Sequence, residues 1–317
     1  MRQADGDRAR GSDRNGAAAE GQGDARPLPG RIAAAVEAPR LDPGLYLVAT
    51  PIGTARDITL RALDVLNAAD LLAAEDTRTL RHLLAIHGIP LRGRRILSHH
   101  DHNAERAAPA ILAAIAQGGA VAYCSDAGTP LVADPGFTLA RDVAAAGGAV
   151  HAVPGASALL AALTVAGQPT DRFLFAGFAP AQAGARRRWL EDVCAVEATA
   201  VLFESPRRVK ALLNELCQID ADRAVSVCRE LTKRFEEVMR GTACALSQAI
   251  PDEGLRGEVV VILGPPARGA ADDGAVRDAL RERLATMTVR DAAAAVAAQT
   301  GRPRKDVYRM ALAMQEG

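Results

Sequence analysis

Between residues 45 and 263, short apolar runs alternate with stretches of helical periodicity, and this pattern constrains the fold more than any other feature of the sequence. Residues 45–49, 71–74, 96–98, 120–124 and 149–153 read as strands, with helices filling the gaps. Alternation in units of this length predicts a mainly parallel sheet covered by helices on both faces. After a short loop at 166–171, a second set of strands follows at 173–178, 199–203, 224–228, 236–240 and 258–263. Two of these form a close pair joined by 230–235, so the second sheet is expected to be mixed.

The fold class expected is therefore α/β with two α/β domains, at 44–167 and 168–266. A small helical extension at 267–317 follows the Gly264-Pro265-Pro266 stop. Residues 1–43 are rich in Gly, Ala, Arg and Asp without a sustained apolar period, and read as a disordered tail. A chain of 317 residues that is 49% hydrophobic is long enough for two cores, and with only 3% aromatics these must be packed from Ala, Val and Leu.

Lys and Arg number 38 against 38 Asp and Glu, so no whole-chain positive field exists and any nucleic-acid contact must come from local patches. One such patch is the stretch 277–309, with eight basic residues against four acids; a solvated helix face explains it equally well. Arg186-Arg187-Arg188 and Arg207-Arg208 are further basic clusters. Five widely spaced cysteines without a C-x-x-C pair argue against a disulfide framework or a zinc knuckle. No apolar run suits a membrane span or a secretory signal, and the expectation is a soluble cytoplasmic protein.

Neither G-x-G-x-x-G nor G-x-x-x-x-G-K-[ST] occurs, which removes the usual phosphate cradles. Instead, three turns stand at the carboxyl ends of predicted strands, the edge where open α/β sheets bind ligands. Thr50-Pro51-Ile52-Gly53 combines a fixed with a free backbone angle. In Ser125-Asp126-Ala127-Gly128-Thr129-Pro130, continuing to Asp134-Pro135-Gly136, Asp126 could accept from a ligand ammonium or hydroxyl, or merely cap a turn. In Pro154-Gly155-Ala156-Ser157, Ser157 could both cap the next helix and reach a ligand.

With these turns in this order, the chain resembles the tetrapyrrole methylase superfamily. Other segments make it most similar to a branch that methylates a cytidine 2'-hydroxyl in 16S ribosomal RNA. They are Ala74-Glu-Asp-Thr-Arg78, His100-Asp-His-Asn103, Phe203-Glu-Ser-Pro-Arg207, Arg229-Glu-Leu-Thr-Lys233 and Gly257-Glu258. The likeness covers about 44–264. Ala156-Ser157 and Thr54-Ala55-Arg56 depart from the branch's usual pattern.

The resemblance implies an S-adenosyl-L-methionine-dependent enzyme acting on 16S rRNA within the 30S subunit, a homodimer without DNA or membrane partners. It also implies a cofactor cleft between the domains. Cofactor contacts are expected from Pro51, Gly53, Ser125, Asp126, Ala127, Gly128, Thr129, Gly155, Ala156 and Ser157 on one side, and from Glu204 and Glu258 on the other. Arg78, His102 and Arg207 are expected to bind substrate.

A ribose hydroxyl is a poor nucleophile while protonated. Glu75, Asp76, Asp101, His102, Glu230 and Lys233 are the unranked candidates to take or polarise its proton. Glu75-Asp76-Thr77-Arg78 reads equally well as a helix cap with a local ion pair. A metal site at His99-His100-Asp101-His102 is not expected, because neighbours on an extended segment point in alternating directions. Two competing functions are methylation of a tetrapyrrole precursor and a non-catalytic, cofactor-binding RNA chaperone.

Overall fold

The computed structural model describes residues 38–100, 103–133, 136–266 and 273–315. The tail expected over 1–43 thus lies almost wholly outside the described residues, as do Asp101, His102, Asp134 and Pro135. The chain divides into two units. One holds 38–48, Ile58–Asp126 and 136–154; the other holds Ala49–Asp57, 127–133 and the described residues from 155 onward. Two loops that chain order would give to the first half therefore belong to the second unit.

In the first unit, β1 (Gly44–Val48), β2 (Leu71–Ala74), β3 (Ile96–Ser98), β4 (Ala120–Cys124) and β5 (Val150–Val153) form a wholly parallel sheet in the order β3-β2-β4-β1-β5. Alternate residues of β4 explain why helices cover both faces. Ala120, Ala122 and Cys124 pack with Leu63 and Leu66 of α1 (Leu60–Ala68) and Leu80 and Leu84 of α2 (Thr77–Ile86). Val121 and Tyr123 pack with Ile111 of α3 (Ala104–Ala116) and Leu139 and Val143 of α4 (Phe137–Ala145). A strand buried on both faces reads as a continuous apolar run, and Ala-Val-Ala-Tyr-Cys is one.

The second unit holds α5 (Ala158–Ala166), β6 (Phe173–Phe178), α6 (Ala183–Ala195), β7 (Thr199–Glu204), α7 (Val209–Ile219), β8 (Ala224–Arg229), β9 (Glu237–Thr242), α8 (Ala243–Ala249) and β10 (Val259–Leu263). Its sheet runs β6-β7-β10-β8-β9; β6 and β7 are parallel and the other pairs antiparallel, the mixed sheet that the close strand pair implied. Val259, Val261 and Leu263 of β10 face Leu190, Leu213 and Leu246 of α6, α7 and α8, while Val260 and Ile262 face Leu159 and Leu163 of α5. Each sheet is thus sandwiched between helices.

After this body, α9 (Asp273–Leu284), α10 (Val289–Thr300) and α11 (Arg304–Ala313) bury their own apolar cluster of Val276, Leu280, Val296 and Val307. Thr288 caps α10 by accepting the Asp291 amide at 3.2 Å. Among the described residues no helix is long and apolar enough to cross a membrane.

One sequence expectation fails. Cys217 and Cys244, 27 residues apart, are joined in a disulfide with Cα atoms 4.8 Å apart. The packing of α7 on α8 brings them together, and spacing along the chain carries no trace of it. Burial pushes the thiol of the free Cys124 up to about 12.

The loop before β3 is held by one side chain. Arg94 donates from Nη1 to the carbonyls of Leu66 and Ala69 at 2.9 and 2.8 Å, and from Nε and Nη2 to those of Leu91 and Pro90, both at 3.1 Å. Arg94→Met strips these carbonyls of a charged donor and should lower stability by about 2 kcal/mol, read as a lower urea midpoint. An unchanged midpoint would contradict this role.

Candidate functional site

The second unit contains a cavity of about 340 Å³. Its wall is built from Ile52, the loop residues 127–129, 132 and 133, Ser157 and Ala158 at the start of α5, Phe178, 203–206, Cys228, Leu231 and 257–260. The size suits a small molecule.

The three sequence-predicted turns come together here. Thr50 and Gly128 exchange backbone hydrogen bonds at 2.9 and 3.0 Å, and the Thr129 hydroxyl donates to the Ala156 carbonyl at 3.0 Å. Gly128 sits at φ +81°, which an L side chain rarely adopts, and a Cβ there would stand 3.3 Å from Ile52 Cγ2. A Cβ at Gly155 would stand 3.0 Å from that of Ala49.

The predicted cofactor residues divide into three groups. Ala127, Gly128, Thr129, Ser157, Glu204 and Glu258 line the cavity; Pro51, Gly53, Gly155 and Ala156 lie in the same turns but do not line it. Ser125 and Asp126 belong to the first unit, where Asp126 Oδ1 accepts the Asp76 amide at 2.9 Å. Ser157 stands at the N-cap of α5, yet its hydroxyl makes no cap bond.

Among the described residues, both charged residues of the wall are acids. The Glu204 side chain is fully buried; its Oε1 pairs with Arg208 at 2.6 Å and accepts the Ser205 amide at 2.6 Å. Its buried Oε2 finds no partner among the described residues. Glu258 is open to solvent, with Oε2 2.9 Å from Lys233 Nζ. Lys233 Nζ also lies 2.9 Å from Glu230 Oε1, which accepts the Glu258 amide at 3.0 Å.

Backbone strain concentrates in the same place. Of the five described non-glycine residues at positive φ, Leu131, Ala133, Glu230 and Thr232 are in or beside segments of the cavity wall; the fifth is Arg92. Such backbone costs about 1–3 kcal/mol per residue and persists only where the surroundings enforce it. Here Thr54 donates its amide to Thr232 Oγ1 at 3.1 Å and its hydroxyl to the Thr232 carbonyl. Gly53 is needed for this contact, since a Cβ would stand 2.6 Å from both Lys233 Cγ and Thr232 Oγ1.

Three proton-transfer candidates are held in ion pairs. Asp76 caps α2 and takes a two-pronged bond from Arg78; that side-chain bond, with the Arg78 amide, holds its carboxyl down to about 2. Burial pushes Glu230 up, but the Lys233 ammonium and the Glu258 amide outweigh it and leave its pKa below the usual range. Burial likewise pushes Lys233 down, and its two carboxylate partners raise it above an ordinary lysine. None of the three is poised near neutrality as a general base. Glu75, beside Asp76, donates its amide to the Cys124 carbonyl at 3.2 Å. Burial raises the Cys228 thiol to about 11, so at neutral pH the wall presents it protonated and weakly nucleophilic.

The basic clusters also separate. Arg186 is buried against Glu215 at 2.5 Å, a structural role rather than a free phosphate contact, and Arg187 pairs with Glu191 at 3.2 Å. Arg207 is exposed, with no side-chain partner among the described residues. His99 is buried edge-on to Tyr123 at 5.4 Å. No group of three or more His, Cys, Asp or Glu able to hold a metal ion occurs among the described residues.

Sequence reasoning missed Phe178, Leu231 and Val260 of the wall. Gly177, at φ +74° beside a register shift in β6, was the signal for Phe178, because glycine inside a strand marks a bulge. Phe175 and Phe178 then flank Phe203 edge-on at 4.9 and 5.5 Å.

Residues 44–247 match the family described as Tetrapyrrole (Corrin/Porphyrin) Methylases, and 270–315 match the RsmI C-terminal HTH domain. The chain is 47% identical over 280 residues to "Ribosomal RNA small subunit methyltransferase I" of Mesorhizobium japonicum, covering 87% of this chain and 94% of that protein. The protein of the same name from Neisseria meningitidis serogroup A is 40% identical, with coverage of 84% and 92%. Among solved structures, the cobalamin biosynthetic enzyme cobalt precorrin-4 methyltransferase superposes with a TM-score of 0.53 at 20% identity, covering 73% of this chain and 96% of that one, a likeness of fold alone. The chain therefore belongs to the tetrapyrrole methylases, in the branch of the ribosomal RNA small subunit methyltransferase I proteins.

Proposed function

We propose that this protein is an S-adenosyl-L-methionine-dependent methyltransferase that methylates the 2'-hydroxyl of a cytidine in 16S rRNA, acting on the 30S subunit as a cytoplasmic homodimer. The observation that carries the cofactor assignment is the charge of the cavity wall: among the described residues it has two carboxylates and no lysine or arginine. A phosphorylated cofactor would meet repulsion there. S-adenosylmethionine has no phosphate and carries a sulfonium and an ammonium, and it suits such a wall. The partnerless Glu204 Oε2 and the close-packed Gly128 turn fit a ligand of that kind.

In this reading Ala127, Gly128, Thr129, Ser157, Glu204 and Glu258 contact the cofactor. Pro51, Gly53, Ser125, Asp126, Gly155 and Ala156 hold the turns that present them. When bound, the cofactor supplies a methyl group whose C–S bond breaks as the O–C bond forms, leaving neutral S-adenosylhomocysteine and releasing the hydroxyl proton. With Asp76, Glu230 and Lys233 committed to ion pairs, the protein's main contribution is alignment of the acceptor oxygen. We assign Arg207 to an RNA phosphate, with Arg78 and His102 as further substrate contacts. Kinship with the small-subunit methyltransferases supports this substrate, and a chain without net charge is better suited to an assembled subunit than to naked RNA. The cytoplasmic thiol pool would then set the state of Cys217 and Cys244.

Incubation with labelled S-adenosylmethionine and 30S subunits lacking the modification should place label in 2'-O-methylcytidine. Cofactor binding without label would favour the chaperone reading, and label in a tetrapyrrole precursor instead would overturn the substrate.

The ion cluster also sets a pH dependence. Its Glu230 share is complete above the usual carboxylate pKa and is lost as pH falls through the lower folded value. Its Lys233 share is complete below the usual lysine pKa and is lost as pH rises through the higher folded value. The stability contributed by this cluster should therefore be flat from about pH 6 to 9. Removing the ammonium in Lys233→Met should raise the Glu230 pKa and bring a titration in from the acid side. Wild type and Lys233→Met losing stability in parallel as pH falls from about 7 to 4 would contradict the pairing.

A further inference from the structure

The turn between β8 and β9 carries a feature that cofactor binding does not use. Phe235 is 64% exposed, and the Arg234 guanidinium carbon lies 5.4 Å from its ring centroid; Arg234 is exposed as well. A single exposed phenylalanine is unremarkable on a mobile surface loop. This one stands on a firmly held turn. The Thr232 amide donates to Glu236 Oε2 at 2.6 Å, and the Lys233 and Glu236 amides donate to the Glu230 and Lys233 carbonyls at 3.0 and 3.1 Å. Lys233 ties the turn to Glu258, Thr54 ties it to the turn before α1, and positive φ angles at Glu230 and Thr232 fix its path. Leu231, four residues before Phe235, is part of the cavity wall.

A rigid, solvent-facing aromatic ring beside an arginine is the surface chemistry that captures an unpaired base, the ring stacking on the base while the guanidinium meets a phosphate or adds to the stack. We infer that Arg234 and Phe235 form a nucleotide-recognition element that stacks on an unpaired ribosomal RNA base at or next to the target ribose. The inference rests on the rRNA reading above and names a substrate contact for it. The strain in the turn then has a purpose: it fixes the backbone that carries the ring out into water.

The test compares wild type, Phe235→Ala, Phe235→Trp and Arg234→Ala in methyl transfer to 30S subunits, cofactor binding and sedimentation. Phe235→Ala should lower kcat/KM for 30S roughly 10- to 100-fold, leave the cofactor Kd unchanged and be rescued by Phe235→Trp. Arg234→Ala should weaken transfer and flatten its salt dependence. Phe235→Ala with wild-type kcat/KM would overturn the inference. So would an equal loss of cofactor affinity, marking a structural residue, or a change of oligomeric state, marking a contact between two copies. Wild type that binds cofactor but fails on 30S would defeat the rRNA reading itself, and the inference with it.

Discussion

The cavity depends on a pair of backbone hydrogen bonds between Thr50 and Gly128. They join the chain leaving β1 to the chain leaving β4, and the segments so joined are counted with the second unit rather than with the sheet they come from. Everything else in the wall is referenced to that link. Ile52 packs against Gly128, Thr129 reaches the turn before α5, and Gly53 leaves room for Thr232 and Lys233. A side chain at position 128 would have to adopt a left-handed backbone and crowd Ile52.

Electrostatics then selects what such a cavity can hold. Lys233 faces two carboxylates, Glu230 and Glu258, and so neutralises only one of the two charges; Glu204 is balanced by Arg208 through one oxygen alone. The excess is negative beside a wall that is otherwise apolar or backbone, where a field acts over a longer range than in open water. A sulfonium cofactor profits from it and loses that benefit on becoming a thioether. The same ion pairs hold Lys233 and Glu230 in their charged forms across the neutral range, so one cluster both shapes the pocket and keeps its own charges fixed.

Much of this was legible in the sequence, for identifiable reasons. Strands buried on both faces, such as 71–74 and 120–124, announce themselves as unbroken apolar runs. The turns at 50–53, 127–129 and 155–157 announce themselves as Gly and Pro at strand ends. What was hidden depends on contacts between segments distant in sequence. Asp126 reaches the Asp76 amide only because β2 lies beside β4, and Cys217 meets Cys244 only because α7 packs on α8. Arg186, the first of three consecutive arginines, turns inward to Glu215 while its run suggested an open basic surface. Ser157 has the residue type and position of a helix cap but makes no cap bond.

The most direct test is a crystal structure of the protein soaked with S-adenosylhomocysteine. The account predicts the ligand in the cavity, against the backbone of 127–129 and beside Ser157, with Glu204 and Glu258 in the wall around it. A ligand found elsewhere, or an empty cavity in crystals of protein shown to bind the cofactor in solution, would contradict it.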